Sequence, residues 1–463
     1  MKEIKRRLMP FTFYDRTGLE KDLEEQAEKG WLLEKCSATG WLYRRIEPAK
    51  IHFSVVYFPA VDIFDPRPSD KQQRFQEFCE YTGWELIASN AQMQIFCNRR
   101  EHPIPIETDP VIEVENIHKS VKKTMIPAYF SNLILAVMQI GLSAQRFSWD
   151  PLTELLSLPS MLATLFWCLD VFFWTILLGL YFSWHRKAKA AADDGHFLET
   201  KSTDLFQILM IITTGLAVLF MYLSFGSWTM LLVGVLMVIG ILSLTAGMVW
   251  LSNRMKKANV SARTNRFITY AFAVLMSFVL CGCVIWLVVS VRMAEDDRTA
   301  QAETYEFNSW TYYVYDDSIP LRIEDLIDTD YDGYSYEIIS DDSSPLLSRF
   351  EARQKTRYDA LTEPEMQYRI VQVKFPLLYD WVLAEMLEDF NHNYAYPEDD
   401  PNWDGHRSID PVPWGANLAY ELIISGEKQN RYLLCYRNCI IEIDLDWMPT
   451  AEQMATISQK LIP

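Results

Sequence analysis

The chain has 463 residues, half of them hydrophobic, and a formal net charge of −18. Its length accommodates two or three domains, and its sparse cysteine content, 8 residues, argues against a disulfide-stapled scaffold. So many apolar residues beside so many charges imply segregated blocks, and the acidic balance argues against a nucleic-acid partner.

The opening "MKEIKRRLMPFTFYD" has basic residues but no long apolar core, so no cleavable signal peptide is expected. Alternating strand and helix signals follow. "RRLMPFTFY" reads as a strand, and "GLEKDLEEQAEKG" as a helix with Leu19, Leu23 and Ala27 on one face. "WLLEKC" and "WLYRRI" read as strands. The order then recurs: strand "IHFSVVYF" with Ile51, Phe53, Val55 and Tyr57 on one face, helix "DKQQRFQEFCEYTG" burying Phe75, Phe78 and Cys79, strands "WELIAS" and "MQIFCN". Each helix stops at a Gly-Trp pair. Gly30 and Gly83 can take the left-handed conformation that ends a helix, and Trp31 and Trp84 then open the next strand.

The stretches "LEEQAEKGWLLEK" and "FQEFCEYTGWELIASNAQMQIFCNR", followed by "PIETDP", are similar to the bacterial family catalogued as domain of unknown function 2812 (DUF2812). The resemblance covers roughly the first 110 residues. It implies a cytoplasmic module fused to membrane spans, in a possible regulatory setting near PadR-like repressors. The family defines no catalytic residues. The duplicated strand-helix-strand-strand plan also resembles GyrI-like effector-binding domains, which makes ligand sensing an expectation by analogy of fold.

Five apolar stretches reach the roughly 18 residues a membrane span needs. They run from about Ile126 to Gln145, Met161 to Trp184, Leu205 to Phe225, Trp228 to Leu251 and Phe267 to Val291. Basic residues mark alternate connections: Lys119, Lys122 and Lys123; Arg186, Lys187, Lys189 and Lys201; Arg254, Lys256, Lys257, Arg263 and Arg266. The pattern places the N-terminus in the cytoplasm, and five crossings would place the C-terminus outside a bacterial cell membrane. Asp170, in "FWCLDVFFW", is an acid near mid-membrane and a functional candidate, expected as a neutral acid bonded to Gln139, Thr213, Thr214 or a backbone carbonyl.

Residues 294–463 carry about 34 acidic against about 13 basic residues. "WTYYVY", "YSYEIIS", "QYRIVQVKF", "LAYELIIS", "RYLLCY" and "CIIEIDL" read as strands. "LLYDWVLAEMLEDF" reads as a helix with Leu377, Trp381, Ala384 and Leu387 on one stripe, and "TAEQMATISQKL" opens with a capping box from Thr450 to Gln453. Cys435 and Cys439 flank a turn, which leaves two readings: unpaired thiols on neighbouring strands, or a strained local disulfide. Asp328, Asp330 and Asp332, before Gly333, match the first half of an EF-hand loop, so a calcium ion is one candidate cofactor. Ile339 stands where the bidentate glutamate belongs, and the alternative is an acidic turn before a strand.

The expected fold is thus α+β soluble domains flanking a helical membrane bundle. A cytoplasmic domain spans 1–110, a linker 111–125, the membrane region 126–291 and an acidic outer domain 292–463. No P-loop, H-E-x-x-H, G-x-G-x-x-G or G-x-S-x-G motif is present, and no catalytic residue is assigned. The pattern points to a sensor or signal-coupling protein with the lipid bilayer and an unknown protein partner or small-molecule ligand. The alternatives are an accessory subunit of a transport or export system, and a membrane-bound enzyme with an outer site around His392, Asp404 and His406.

Overall fold

The computed structural model describes all residues except 1–3, 8–11, 37–39, 67, 91, 201–203, 225–227, 296–301, 359–361, 392–402 and 463. They form two compact units, Met1–Leu142 with Ala163–Val288, and Ser143–Leu162 with Val289–Pro463.

The first unit opens with β1 (Ile4–Arg7), α1 (Arg16–Glu28), β2 (Trp31–Lys35) and β3 (Trp41–Arg45), followed by β4 (His52–Tyr57), α2 (Asp70–Tyr81), β5 (Glu85–Asn90) and β6 (Met93–Asn98). Strand-helix-strand-strand occurs twice; the first strand lies at Ile4–Arg7 and not along 6–14 as expected, and 8–11 lie outside the described residues. Each half forms its own antiparallel sheet with its last strand central, β1-β3-β2 and β4-β6-β5. Gly30 and Gly83 hold φ of +80° and +92°. The Trp84 amide reaches back to the Cys79 carbonyl at 2.9 Å, closing the turn after α2. The two tryptophans then diverge. Trp84 is buried, with its Nε1 donating to the Ile104 carbonyl at 2.8 Å, whereas Trp31 is half-buried beneath Lys5 and Arg45.

Leu19, Leu23 and Ala27 of α1 pack against Phe53, Val55 and Tyr57 of β4, all buried in one core. Val56 points the other way and joins Cys79, Trp84 and Phe96 in a smaller cluster beneath α2. Alternation along β4 thus feeds both faces of its sheet. Phe78, expected in the core, is 57% exposed. Phe75 and Cys79 lie four residues apart on the packed face, and Phe78 sits about 100° round the helix from Cys79.

Helices follow: α3 (Pro110–Lys123), α4 (Met125–Trp149), α5 (Pro151–Leu156), α6 (Leu158–Asp193), α7 (Asp204–Leu223), α8 (Trp228–Lys257) and α9 (Ala262–Glu295). Residues expected as a linker therefore form α3, capped by Asp109, which accepts from the Val111 amide at 2.8 Å. Among the described residues four helices are long and apolar enough to cross a membrane: α4 running on from α3, α6, α8 and α9. The expected five spans are corrected to four. Among the described residues the apolar run in α7 covers Leu205–Met221, bounded at its start by Asp204 and shorter than a span needs. Along α9, Leu275, Phe278 and Trp286 are largely bare, an apolar surface suited to lipid.

The second unit contains a hairpin, β7 (Glu303–Phe307) with β8 (Trp310–Val314), and a seven-stranded antiparallel sheet. Its strands are β9 (Ser335–Ser343), β10 (Leu347–Lys355), β11 (Met366–Val373), β12 (Trp403–Ile409), β13 (Leu418–Ile424), β14 (Glu427–Cys435) and β15 (Cys439–Leu445), in the order β12-β13-β14-β15-β11-β10-β9. The helix α11 (Ala451–Leu461) covers one face, burying Ile457 and Leu461 against Tyr368, Ile441 and Ile443. Its capping box is present: the Gln453 amide donates to Thr450 Oγ1 at 3.3 Å and the Thr450 amide to Gln453 Oε1 at 2.8 Å.

The other face is covered by α10 (Tyr379–Asn391) and by Leu152 and Leu156 of α5. The buried stripe of α10 is Val382, Met386 and Phe390, one position round from the expected Trp381, Ala384 and Leu387. Leu377 precedes the helix and is 83% exposed. Cys435 and Cys439 are buried free thiols.

Candidate functional site

The richest convergence of polar side chains in the first unit surrounds α1 and α3. Arg16 stands in the first turn of α1. Its Nη1 lies 2.7 Å from Glu113 Oε2 of α3 and its Nε 3.8 Å from Glu20 Oε1, one turn along α1. The Phe197 ring lies 5.9 Å from the guanidinium carbon. Glu20 Oε1 also accepts from the Val55 amide at 2.8 Å, tying α1 to β4. Burial pushes the Glu20 carboxyl up to about 7, against the pull of Arg16. Glu107 is likewise pushed up to about 7 by burial, with Arg16 and a hydrogen bond from Asn116 opposing. One guanidinium thus serves several acids, and the cluster holds protons more tightly than free glutamates do.

Beside it, α3 meets α6. His118 Nδ1 and the Tyr181 hydroxyl are 2.6 Å apart, and the His118 and His185 rings stack with centroids 4.1 Å apart. Tyr181 is wholly buried and meets the edge of Tyr14 at 5.2 Å. A cavity of about 350 Å³ opens here, with Val111, Val114 and Ala192 as apolar lining and His118, His185 and Lys189 as polar lining. Its mixture of apolar wall, aromatic rings and charge suits a small amphipathic molecule.

The N-terminal region also grips the membrane helices at two other points. Thr200, between α6 and α7, donates its amide to Thr17 Oγ1 at 2.8 Å and its hydroxyl to Asp15, the N-cap of α1. Asn265 of α9 donates to the Phe64 carbonyl at 3.2 Å, and the neighbouring Arg266 pairs with Asp62.

The residues singled out in the sequence are scattered. Asp170 lies within α6, where its Oδ1 accepts from Trp174 Nε1 at 2.9 Å, a partner one turn along the same helix. Thr213, expected beside it, donates instead to the Leu209 carbonyl at 2.8 Å. Asp328, Asp330 and Asp332 lie in the irregular segment before β9, and Gly333 does not adopt a left-handed φ. Among the described residues no group of three or more His, Cys, Asp or Glu is placed to hold a metal ion. His406 is exposed and shares a 2.8 Å contact with Asn391 Oδ1. His392 and the side chain of Asp404 lie outside the described residues. The α3–α6 contact escaped sequence reasoning because its partners are 63 residues apart.

No curated protein and no solved structure matches the chain. Residues 16–129 match the family model described as "Protein of unknown function (DUF2812)", so the segment from the start of α1 through α3 into the first turns of α4 is the DUF2812 region of this chain.

Proposed function

We propose that this is a multi-pass membrane protein of sensory or regulatory type, in which the DUF2812 region responds to a ligand or partner and passes the change into the membrane helices. Tyr181 carries the reading. It belongs to the long apolar helix α6, yet it is wholly buried in the hydrophobic core of the N-terminal region. Cores are packed too tightly to absorb a displacement silently, so a shift of α1 or α3 alters the seating of a membrane helix. The neighbouring cavity offers a place for an amphipathic ligand to bias that shift.

The reading includes a bacterial cell membrane with the N-terminal region inside and the second unit outside. The basic connections support the first part: those bearing Lys187 and Lys189, and Lys256 and Arg263, lead into the contacts at Thr200 and Asn265. The connection between α4 and α6 holds Arg146 as its one basic residue and packs on the second unit's sheet through Leu152 and Leu156. Four crossings alone would return the second unit to the inner side; because the α7–α8 pair leaves from Thr200 and returns to Asn265, an outer second unit requires the shorter α7 to enter the membrane beside α8.

A membrane-impermeant maleimide tests this on intact cells, using cysteines placed at Tyr81 on α2 and Glu452 on α11, both exposed. Labelling at Glu452→Cys alone is expected; labelling at both sites, or at neither before lysis, removes the two-sided arrangement. Coupling is read by hydrogen exchange: His118→Phe should change protection along α6 as far as Asp170, and a change confined to α3 would refute it.

A second reading, an accessory subunit of a transport or export system, is favoured by Asp170. Its partner on its own helix leaves acceptor capacity for another chain inside the membrane. That reading expects Asp170→Asn to abolish activity of the assembly while insertion is unchanged.

A further inference from the structure

The second unit encloses a cavity of about 230 Å³ whose lining includes Asp150 just before α5, Arg349 of β10, Arg369 of β11, and Glu385 and Asp389 of α10. Register fixes the two arginines as neighbours: Arg349 lies opposite Val371 and Arg369 opposite Glu351, so both guanidiniums rise from the same sheet face on adjacent strands.

Their hydrogen bonding is incomplete. Arg349 donates through Nη1 to Thr153 Oγ1 at 3.1 Å and through Nη2 to Asp342 Oδ2 at 2.9 Å. The Nη1 of Arg369 lies 3.6 Å from both Asp389 Oδ2 and Glu442 Oε2, and its Nε is 3.4 Å from Glu351 Oε2 without hydrogen-bond alignment. The Nε of each arginine is buried with no hydrogen-bond partner. Both guanidiniums line the cavity with hydrogen-bonding capacity left over.

The helix α10 contributes the opposite charge. Glu385 and Asp389 are one turn apart and share a helix face. Burial raises both carboxyls above their ordinary range, and Glu388 and Asp150 raise them further; Arg369 opposes this at Asp389 alone. Asp389 has Arg369 at 3.6 Å, whereas among the described residues no ion pair holds Glu385. Leu152, Leu347 and Val371 complete the lining as an apolar wall.

We propose that this cavity binds a free α-amino acid, with its carboxylate between the Arg349 and Arg369 guanidiniums, its ammonium on Glu385 and Asp389, and its side chain against Leu152 and Val371. A simple anion would leave the acid pair unmet, and a simple cation would leave the guanidinium donors unmet; a zwitterion satisfies both. The volume limits the ligand to a small or medium side chain. The inference rests on the second unit alone and stands whichever side of the membrane that unit occupies.

Isothermal titration on the full chain in lipid nanodiscs tests it, with glycine, L-serine, L-valine and L-leucine as probes. The matching decarboxylated amines and N-acetyl amino acids serve as controls. Saturable binding of at least one amino acid is expected, weakened at least about tenfold on removing either its carboxylate or its ammonium charge. Glu385→Gln should weaken that binding by a similar factor with unchanged circular dichroism; Asp389→Asn provides the same measurement should the first variant fail to fold. Absence of binding by all four probes, equal binding of the bare amine, or full affinity in the folded variants would overturn the proposal.

Discussion

His118 of α3 and Tyr181 of α6 meet through a 2.6 Å contact between Nδ1 and the phenol oxygen, joining the end of the DUF2812 region to a membrane helix. The contact lies at the margin of the core that holds Tyr14, Ile117 and Val121, so hydrogen bonding and packing act on the same joint. Tyr181→Phe removes the hydrogen bond and keeps the ring, and should cost about 1–2 kcal/mol. Tyr181→Ala also empties a fully buried site and should cost about 3–5 kcal/mol. Thermal unfolding of the purified protein checks both; equal effects would mean that the ring contributes no packing.

The acid cluster around Arg16 sets a pH dependence. The Glu20 carboxyl is raised from 4.5 to about 7 in the folded protein, so the native state binds its proton more tightly than the unfolded chain does. The stability this supplies is fully present below pH 4.5 and is lost as pH rises through about 7. Hydrogen-exchange protection in α1 and α3, taken relative to the intrinsic rate at each pH, should therefore fall as pH rises through about 7. Glu20→Gln keeps an acceptor for the Val55 amide and removes the titration, so it should flatten the profile. A variant as pH-sensitive as the parent would show that the cluster does not control this region.

Local rules made much of the N-terminal fold legible. Alternating residues wrote β4, the i, i+4 spacing of Leu19, Leu23 and Ala27 wrote α1, and the glycines marked where both helices end. Three strands of the second unit were not legible. In β10, "LSRFEARQK" places Arg349 and Glu351 on a sheet face that would ordinarily be apolar, so the period-two signal fails where the cavity lies. The α10 stripe was misplaced because the segment is apolar on several sides and the choice of face belongs to the sheet it meets. The α3–α6 joint was invisible because it depends on side chains distant in the chain, and neither histidine has a local motif.

The glycines that end α1 and α2 should not be equally replaceable. Both hold a positive φ, which costs an L-residue about 1–2 kcal/mol. A Cβ on Gly30 would also come within 2.9 Å of the Ile46 carbonyl oxygen, a backbone atom of the residue whose amide donates to the Gly30 carbonyl at 3.0 Å. A Cβ on Gly83 would meet the Arg100 guanidinium at 2.7 Å, the movable end of a long side chain. Gly30→Ala should therefore lower the melting temperature more than Gly83→Ala. The reverse order would mean that Arg100, which donates to the Thr82 carbonyl at 3.1 Å, is the more rigid neighbour.

The packed face of α10 gives the sharpest test in the second unit. Met386 is fully buried among Val371, Leu433 and Ile440, so Met386→Ala should cost about 2–5 kcal/mol through lost burial and the cavity left behind. Leu377 is 83% exposed ahead of the helix, and Leu377→Ala should fall within about 0.5 kcal/mol of the parent. The two substitutions remove apolar side chains of similar size, so the contrast isolates the face that meets the sheet. Chemical denaturation followed by the fluorescence of Trp414, buried on the opposite sheet face, reads the same cooperative unit for both. Comparable losses at 377 and 386 would place the helix about its axis as the sequence stripe suggested, with Leu377 and Trp381 inward, and would displace the acid pair Glu385 and Asp389 from the cavity.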